Sequence, residues 1–205
     1  MKNQVAKLVL STLIFLAPAT ALGFRASHQS MTQLRPIVGG DAYVAQQVQY
    51  SNTNARFSNS KTSEGHLFQG YAFRAAAGIE HLHFLQTGMY YANVNETTRG
   101  GENAELRANE FGAEVRMVFT APVVNLAVGG GVMASQGAYR SGNVYSPVST
   151  NGYFASVEAI YFLSSRLSFN VSGANVWSKS VIRSNVMTQA QSQATRFGGG
   201  ISIWL

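Results

Sequence analysis

The sequence predicts an all-β fold: an eight-stranded antiparallel up-and-down β-barrel that crosses a membrane. Apolar residues alternate with polar or small ones in eight separate segments, and a period of two is typical of strands whose faces have different environments. Only 12% of the 205 residues are charged, against about 25% in an ordinary soluble domain. This low charge, with 46% hydrophobic residues and 20 glycines, favours a barrel that is apolar outside and polar inside.

The first 21 residues predict a cleaved secretory signal peptide. Residues 1–7 are a short basic start, residues 8–16 are an apolar run, and Ala19-Thr20-Ala21 matches the small-residue pattern at a cleavage site. The apolar run is too short for a transmembrane helix, which needs about 20 residues. We therefore expect export of the chain and cleavage after Ala21.

The remainder is interpreted as a periplasmic N-terminal arm, residues 22–38, followed by one barrel domain, residues 39–205. No segment after residue 21 is apolar and long enough to span a bilayer as a helix, so any membrane crossing must use strands. The chain has no cysteine, which excludes a disulfide framework and a thiolate metal site. We predict no cofactor.

Eight alternating segments are predicted as strands. They lie at residues 41–51, 67–79, 83–95, 108–120, 123–136, 153–164, 166–178 and 196–205. Polar stretches between them predict four long loops, at residues 52–65, 96–105, 139–152 and 181–195. Short turns alternate with the long loops, so the long loops should face outside and the turns should face the periplasm. The alternation blurs after Gly173, which predicts a β-bulge there.

The fourth segment indicates which face is turned to lipid. Phe111, Val115 and other apolar residues share one face, whereas Glu114 and Arg116 share the other. An arginine at the bilayer midplane costs roughly 2–4 kcal/mol, so the apolar face must be outside. Outward tyrosines are expected at the membrane interfaces. These are Tyr50, Tyr71, Tyr91, Tyr153 and Tyr161.

The inward faces predict a lumen that is filled and charged. Eight strands leave an interior only wide enough for side chains to fill. An unpaired charge in such an interior is costly, so we expect Arg74 and Arg116 to pair with Glu114 and Glu158. Uncharged polar side chains are predicted to share the lumen with these four. They are Gln47, Gln86, Asn125, Ser168 and Asn170.

The last ten residues, Arg196 to Leu205, resemble the closing strand of a bacterial outer-membrane barrel. Phe197, Ile201 and Ile203 fall on one face and Trp204 on the other. In that class, an alternating final strand that ends in an apolar or aromatic residue is the signal for the barrel assembly machinery. Such proteins usually end in Phe, and this chain ends in Leu205. The resemblance implies that residues 196–205 are recognised by that machinery.

The strand plan, the size and the charged lumen are similar to those of the small OmpA/OmpX-type barrels. This resemblance implies an integral outer-membrane protein of the Gram-negative envelope, a monomer in contact with lipid and lipopolysaccharide. It further implies a structural or surface-interaction role, with a plugged lumen and no wide pore. In OmpA an inner salt-bridge cluster blocks passage and can act as a gate. By analogy, Arg74, Glu114, Arg116 and Glu158 form a structural cluster that could act as a gate.

Two other functions compete with this interpretation. Some eight-stranded outer-membrane barrels modify lipid A, which requires a serine, a histidine and a carboxylate near the outer leaflet. Only His66 is predicted at the outer rim, while His81 and His83 lie at a periplasmic turn, so we predict no catalytic site and no metal site. The second alternative is a soluble exported barrel that binds an apolar ligand, and the polar lumen argues against it.

Overall fold

The structure is a closed barrel of eight antiparallel strands, which confirms the predicted fold class. The computed structural model describes residues 41–58, 63–81, 84–98, 104–121, 123–183 and 187–205. The strands are β1 (Asp41–Ser58), β2 (Ser63–His81), β3 (Leu85–Thr98), β4 (Ala104–Phe119), β5 (Asn125–Ser141), β6 (Val144–Phe162), β7 (Leu167–Arg183) and β8 (Met187–Trp204). Each strand pairs with its neighbours in sequence, and β1 pairs with β8. Within this part of the chain no helix is long and apolar enough to cross a membrane. The predicted signal peptide and N-terminal arm, residues 1–38, lie outside the described residues.

The predicted inward and outward faces are confirmed on all eight strands. On β4, Phe111 and Val115 are exposed on the outside, whereas Glu114 and Arg116 are buried in the lumen. On β8, Ile201 is outside and Arg196 is inside in the same way. Because successive residues of a strand point to opposite sides, one correct assignment sets the face of every other residue in that strand.

The outside of the barrel carries a lipid-facing band of mostly apolar residues. It covers about 7 to 11 residues of each strand, close to the 9–11 that a tilted strand needs to cross a bilayer. We call the end of the barrel where β1 begins and β8 ends the lower end, and we call the opposite end the upper end. The lipid-facing band consists of the outward residues within 42–50, 71–79, 85–91, 111–119, 126–134, 153–163, 167–173 and 197–205.

Most strands are longer than predicted, and three of the four predicted long loops are wrong. β1 continues to Ser58, β6 begins at Val144 and β8 begins at Met187. Most of residues 52–65, 139–152 and 181–195 is therefore strand, and the described residues of 96–105 are strand as well. Only two residues join β5 to β6, and one of them, Gly142, has a φ of 58°, in the left-handed region that glycine adopts without penalty.

The upper strand segments form a mostly polar collar above the lipid-facing band. Their polar side chains suggested loops, but strand pairing continues through them and satisfies the backbone N–H and C=O groups. Alternation also continues, since Ala55 and Phe68 remain buried inside while Asn54 and Arg56 face outward. The polar collar consists of the outward residues within 52–58, 63–69, 93–97, 105–109, 136–140, 145–151, 175–183 and 189–195.

The predicted bulge after Gly173 is also wrong. Gly173 pairs with Val157 on β6 and with Phe197 on β8, and both registers run on without interruption. The pattern blurs here because the strand leaves the lipid-facing band. Inward Val176 is apolar and outward Asn175 is polar, so the period of two continues with its polarity contrast reversed.

The lumen is filled in three layers. Aromatic side chains close the lower end, where the Tyr43 and Trp204 rings lie 5.3 Å apart. A charged layer lies above them. An apolar cluster at the upper end includes Ala55, Phe68 and Ala104, with Phe57 and other partly buried side chains packed against it. The charged layer thus lies between a lower end closed by aromatic side chains and an upper end closed by an apolar cluster.

Candidate functional site

The charged middle layer of the lumen is the candidate site. Arg74 on β2, Glu114 and Arg116 on β4, and Glu158 on β6 all occupy inward positions of their strands. We call these four residues the lumen charge cluster. Glu114, Arg116 and Glu158 are only 4%, 6% and 4% exposed, so each carries its charge in a place from which water is largely excluded.

Arg116 lies between two carboxylates. Its Nη1 donates a hydrogen bond to Oε2 of Glu158. Its Nη2 donates to the Tyr43 hydroxyl at 2.6 Å and lies 3.9 Å from Oε1 of Glu114. The guanidinium therefore faces a bonded carboxylate and a second one just beyond hydrogen-bond distance.

Arg74 joins the second carboxylate to the same network. Its Nη2 donates to Oε2 of Glu114 at 2.6 Å, and its Nη1 donates to Oε1 of Gln47 at 3.1 Å. Gln47 in turn donates from Nε2 to Oε1 of Glu158 at 2.9 Å. The Arg74 guanidinium also lies 4.3 Å from the Tyr90 ring centroid, a favourable distance for a cation–π contact. One glutamine thus connects the two ion pairs.

A third ion pair in the lumen, between Arg196 and Glu110, was not predicted from the sequence. Arg196 on β8 donates from Nη1 and Nη2 to Oε1 and Oε2 of Glu110 on β4, both at 2.9 Å. The Tyr90 hydroxyl donates to the same carboxylate at 2.8 Å. Both residues lie at inward positions of their strands. The alternation of apolar and polar residues identifies those positions, so it could have placed both charges in the lumen. Their pairing could not be found in this way, because they are 86 residues apart in the chain.

Little space remains among these side chains. The cavity they line together with Gln49, Phe154 and Ser172 has a volume of about 30 Å³, which leaves room for only a few water molecules. Oε1 of Glu114 and Nε of Arg116 are buried without a hydrogen-bond partner in the described part of the protein. The layer is therefore closed to anything much larger than water.

The uncharged polar residues predicted for the lumen lie mainly below the charged layer. Gln86 donates to Glu80 at 2.8 Å, and Ser168 accepts from the Trp204 indole at 3.0 Å. Asn170 donates to the Ser202 hydroxyl at 2.9 Å. These bonds tie the polar side chains of the lower end to the strands around them and help to close that end.

The two described histidines lie at opposite ends of the barrel. His66 lies at the upper end, 3.7 Å from the Glu64 carboxylate, and its ring meets the Phe57 ring edge-on at 5.1 Å. His81 lies at the lower end, with Nε2 2.9 Å from the Thr87 hydroxyl. His28 and His83 lie outside the described residues. Across the ranges that the structure covers, no group of three or more His, Cys, Asp or Glu could hold a metal ion.

No family model and no curated protein sequence matches the chain. Solved outer-membrane barrels share its fold. Neisserial surface protein A is 16% identical with a TM-score of 0.52, over 78% of this chain and 97% of that one. OprG of Pseudomonas aeruginosa is 9% identical with a TM-score of 0.61, over 82% of this chain and 97% of that one. At these identities the likeness shows the fold alone.

The fold and the outer surface together describe an integral membrane barrel of the outer-membrane type. A closed wall leaves no unpaired strand edge in the hydrocarbon. The lipid-facing band surrounds that wall at a height that suits a bilayer.

Proposed function

We propose that the protein has a structural or surface-interaction role in the outer membrane and does not act as a wide pore. The observation that carries this proposal is the charged layer, in which paired side chains leave about 30 Å³ of space. A barrel closed in this way can act on its surroundings only through its outer surface and its upper end.

The upper end is suited to anionic partners. Its described exposed or half-exposed charges are mostly positive, and Arg107 is 2.6 Å from Glu105. We propose that this end contacts the phosphate groups of lipopolysaccharide, since an excess of one charge attracts ligands of the opposite sign. The cations are Arg56, Arg107, Arg140, Lys179 and Arg183, and the anions are Glu64 and Glu105.

The closing strand supports a proposal about assembly. The Leu205 amide donates to the Ala42 carbonyl at 2.9 Å, so the final residue is part of the seam between β1 and β8. We propose that residues 196–205 are read by the barrel assembly machinery. The same proposal includes the cleavage of residues 1–21 as a signal peptide and a periplasmic arm at residues 22–38.

We propose a structural role for the lumen charge cluster, which holds β2, β4 and β6 together across the lumen. A gate is a second candidate, favoured by one observation. Because Nη2 of Arg116 lies 3.9 Å from Glu114 while Nη1 is bonded to Glu158, a small side-chain rotation could exchange its partners.

The alternatives have less support. His66 packs against the Phe57 ring at the upper end and lies near Glu64, an arrangement that suits a structural histidine as well as a catalytic one. A soluble barrel would not carry an apolar band around its outside.

Heat-modifiability tests the proposed location and architecture together. We expect protein from purified outer membranes to resist SDS when unboiled and to change its gel mobility on boiling, because the barrel satisfies its own backbone hydrogen bonds. Absence from the membrane fraction, with immediate unfolding in SDS, would contradict the proposal.

A further inference from the structure

The lipid-facing band contains an amide that has no partner. Gln46 is the middle outward residue of the band on β1, flanked by Val44 and Val48 on the same face. Its side chain is exposed and makes no hydrogen bond with any residue in the described ranges. Thr87, another polar outward residue of the band, differs because its hydroxyl is 2.9 Å from Nε2 of His81.

An amide at this depth is unfavourable in lipid. Burying a carboxamide without a hydrogen bond is costly, and the hydrocarbon offers neither donor nor acceptor. The other outward residues of β1 within the band are Ala42, Val44, Val48 and Tyr50. Gln46 therefore needs a partner that brings a polar group to the middle of the bilayer.

The surface around Gln46 is a groove and not a smooth wall. The groove has a volume of about 530 Å³. Outward Ala75 on the β2 side and Gly199 on the β8 side are small, whereas Phe73 and Ile201 project beside them. Each flank thus carries one large and one small residue.

We propose that this groove is the interface of a homodimer within the membrane, in which the two Gln46 side chains hydrogen bond to each other. A carboxamide carries both donors and an acceptor, so two copies can satisfy one another. Both copies cross the bilayer in the same direction, and a two-fold axis along the membrane normal brings the two Gln46 residues together at the same depth.

The flanks of the groove agree with such an axis. A two-fold rotation places the β2 flank of one copy against the β8 flank of the other. The large residue of each flank then faces a flank with a small residue, which leaves space for it. Close contact over small residues and hydrogen bonds between polar side chains are what drive association in lipid. A lipid acyl chain could fill the groove but could not bond to the amide, which favours a second copy of the chain.

Association in lipid vesicles tests this proposal directly. The chain has no cysteine, so Asn54→Cys in the polar collar gives one site for donor or acceptor dyes. We expect energy transfer between full-length molecules that falls as lipid is added. Gln46→Leu should weaken the association roughly 3- to 20-fold, the range for hydrogen bonds between membrane segments. Gln46→Asn should retain part of it.

A matched pair of cysteine variants locates the interface. Val48→Cys lies beside Gln46, and Val132→Cys lies outward on β5, on the opposite side of the barrel. A short bifunctional thiol reagent should link Val48→Cys into dimers and leave Val132→Cys as monomers. Heat-modifiability of each variant confirms that it is folded.

Three results would overturn the proposal. The first is a monomer at every lipid ratio, as the resemblance to the OmpA/OmpX-type barrels implies. The second is equal association of the wild type and Gln46→Leu. The third is equal cross-linking at the two cysteine positions. This result would overturn the proposal also if lipid copurifies with the protein and fills the groove.

Discussion

At the scale of single residues, Arg196 and Glu110 form a buried ion pair. They lie 8% and 2% exposed inside the barrel and form two parallel hydrogen bonds. A buried charge is tolerated when it is paired, and it becomes costly when its partner is removed. The pair from Arg107 to Glu105 has a similar distance but lies on the exposed polar collar, where an ion pair contributes little.

These two pairs give a contrast that can be measured. We expect Arg196→Met to lower the free energy of unfolding by about 3–5 kcal/mol, because Glu110 is left buried and unpaired. Replacing both residues, as Arg196→Met with Glu110→Leu, should recover most of that loss. Arg107→Met should cost no more than about 1 kcal/mol. Urea unfolding in lipid vesicles measures all three. A double variant as unstable as Arg196→Met would show that the loss does not come from leaving Glu110 unpaired.

At the scale of elements, each strand passes through two environments. β4 crosses the lipid-facing band from Phe119 to Phe111 and continues into the polar collar at Asn109 and Arg107. Its pairing with β3 and β5 does not change at the boundary. The outward side chains change there from apolar to polar, so their polarity, and not the strand pairing, marks where the membrane ends.

Arginine substitution along one face of β4 tests where that boundary lies. Val115→Arg, in the middle of the band, should cost about 2–4 kcal/mol, whereas Asn109→Arg, in the collar, should cost about 0–1 kcal/mol. Both changes leave the lumen untouched, so they are matched controls for each other. Equal losses of unfolding free energy in vesicles would show that the band is not the membrane-crossing region.

At the scale of the whole molecule, the side chains that fill the lumen, and not the strands of the wall, block passage through the barrel. Eight strands enclose a space that side chains can fill, and in the charged layer they leave about 30 Å³. Removing a matched pair of charges should enlarge that space without leaving an unpaired ion. Arg116 and Glu158 are such a pair.

Conductance in planar bilayers measures this effect. We expect the wild type to stay near the baseline and the double variant Arg116→Ala with Glu158→Ala to show discrete openings. The control is Arg107→Ala with Glu105→Ala, which removes an ion pair from the outer surface and should not conduct. Wide, steady channels in the wild type, or openings in the control, would refute a lumen closed by its charged layer.

The sequence by itself determined the fold class, the number of strands and the side to which each residue points. These depend on the period of two, which is a local property of the chain. The same local reasoning failed above the membrane. In residues 139–152 the outward side chains are mostly polar, and a polar strand that stands in water resembles a loop when polarity alone is considered.

Only the tertiary structure decided which inward residues meet and where the outer wall has a groove. Gln47 and Glu158 are 111 residues apart, and Arg196 and Glu110 are 86 apart. Strand register and barrel closure bring such residues together, and neither can be obtained from the period of one segment. The groove around Gln46 has the same origin, because it requires β1, β2 and β8 to lie side by side.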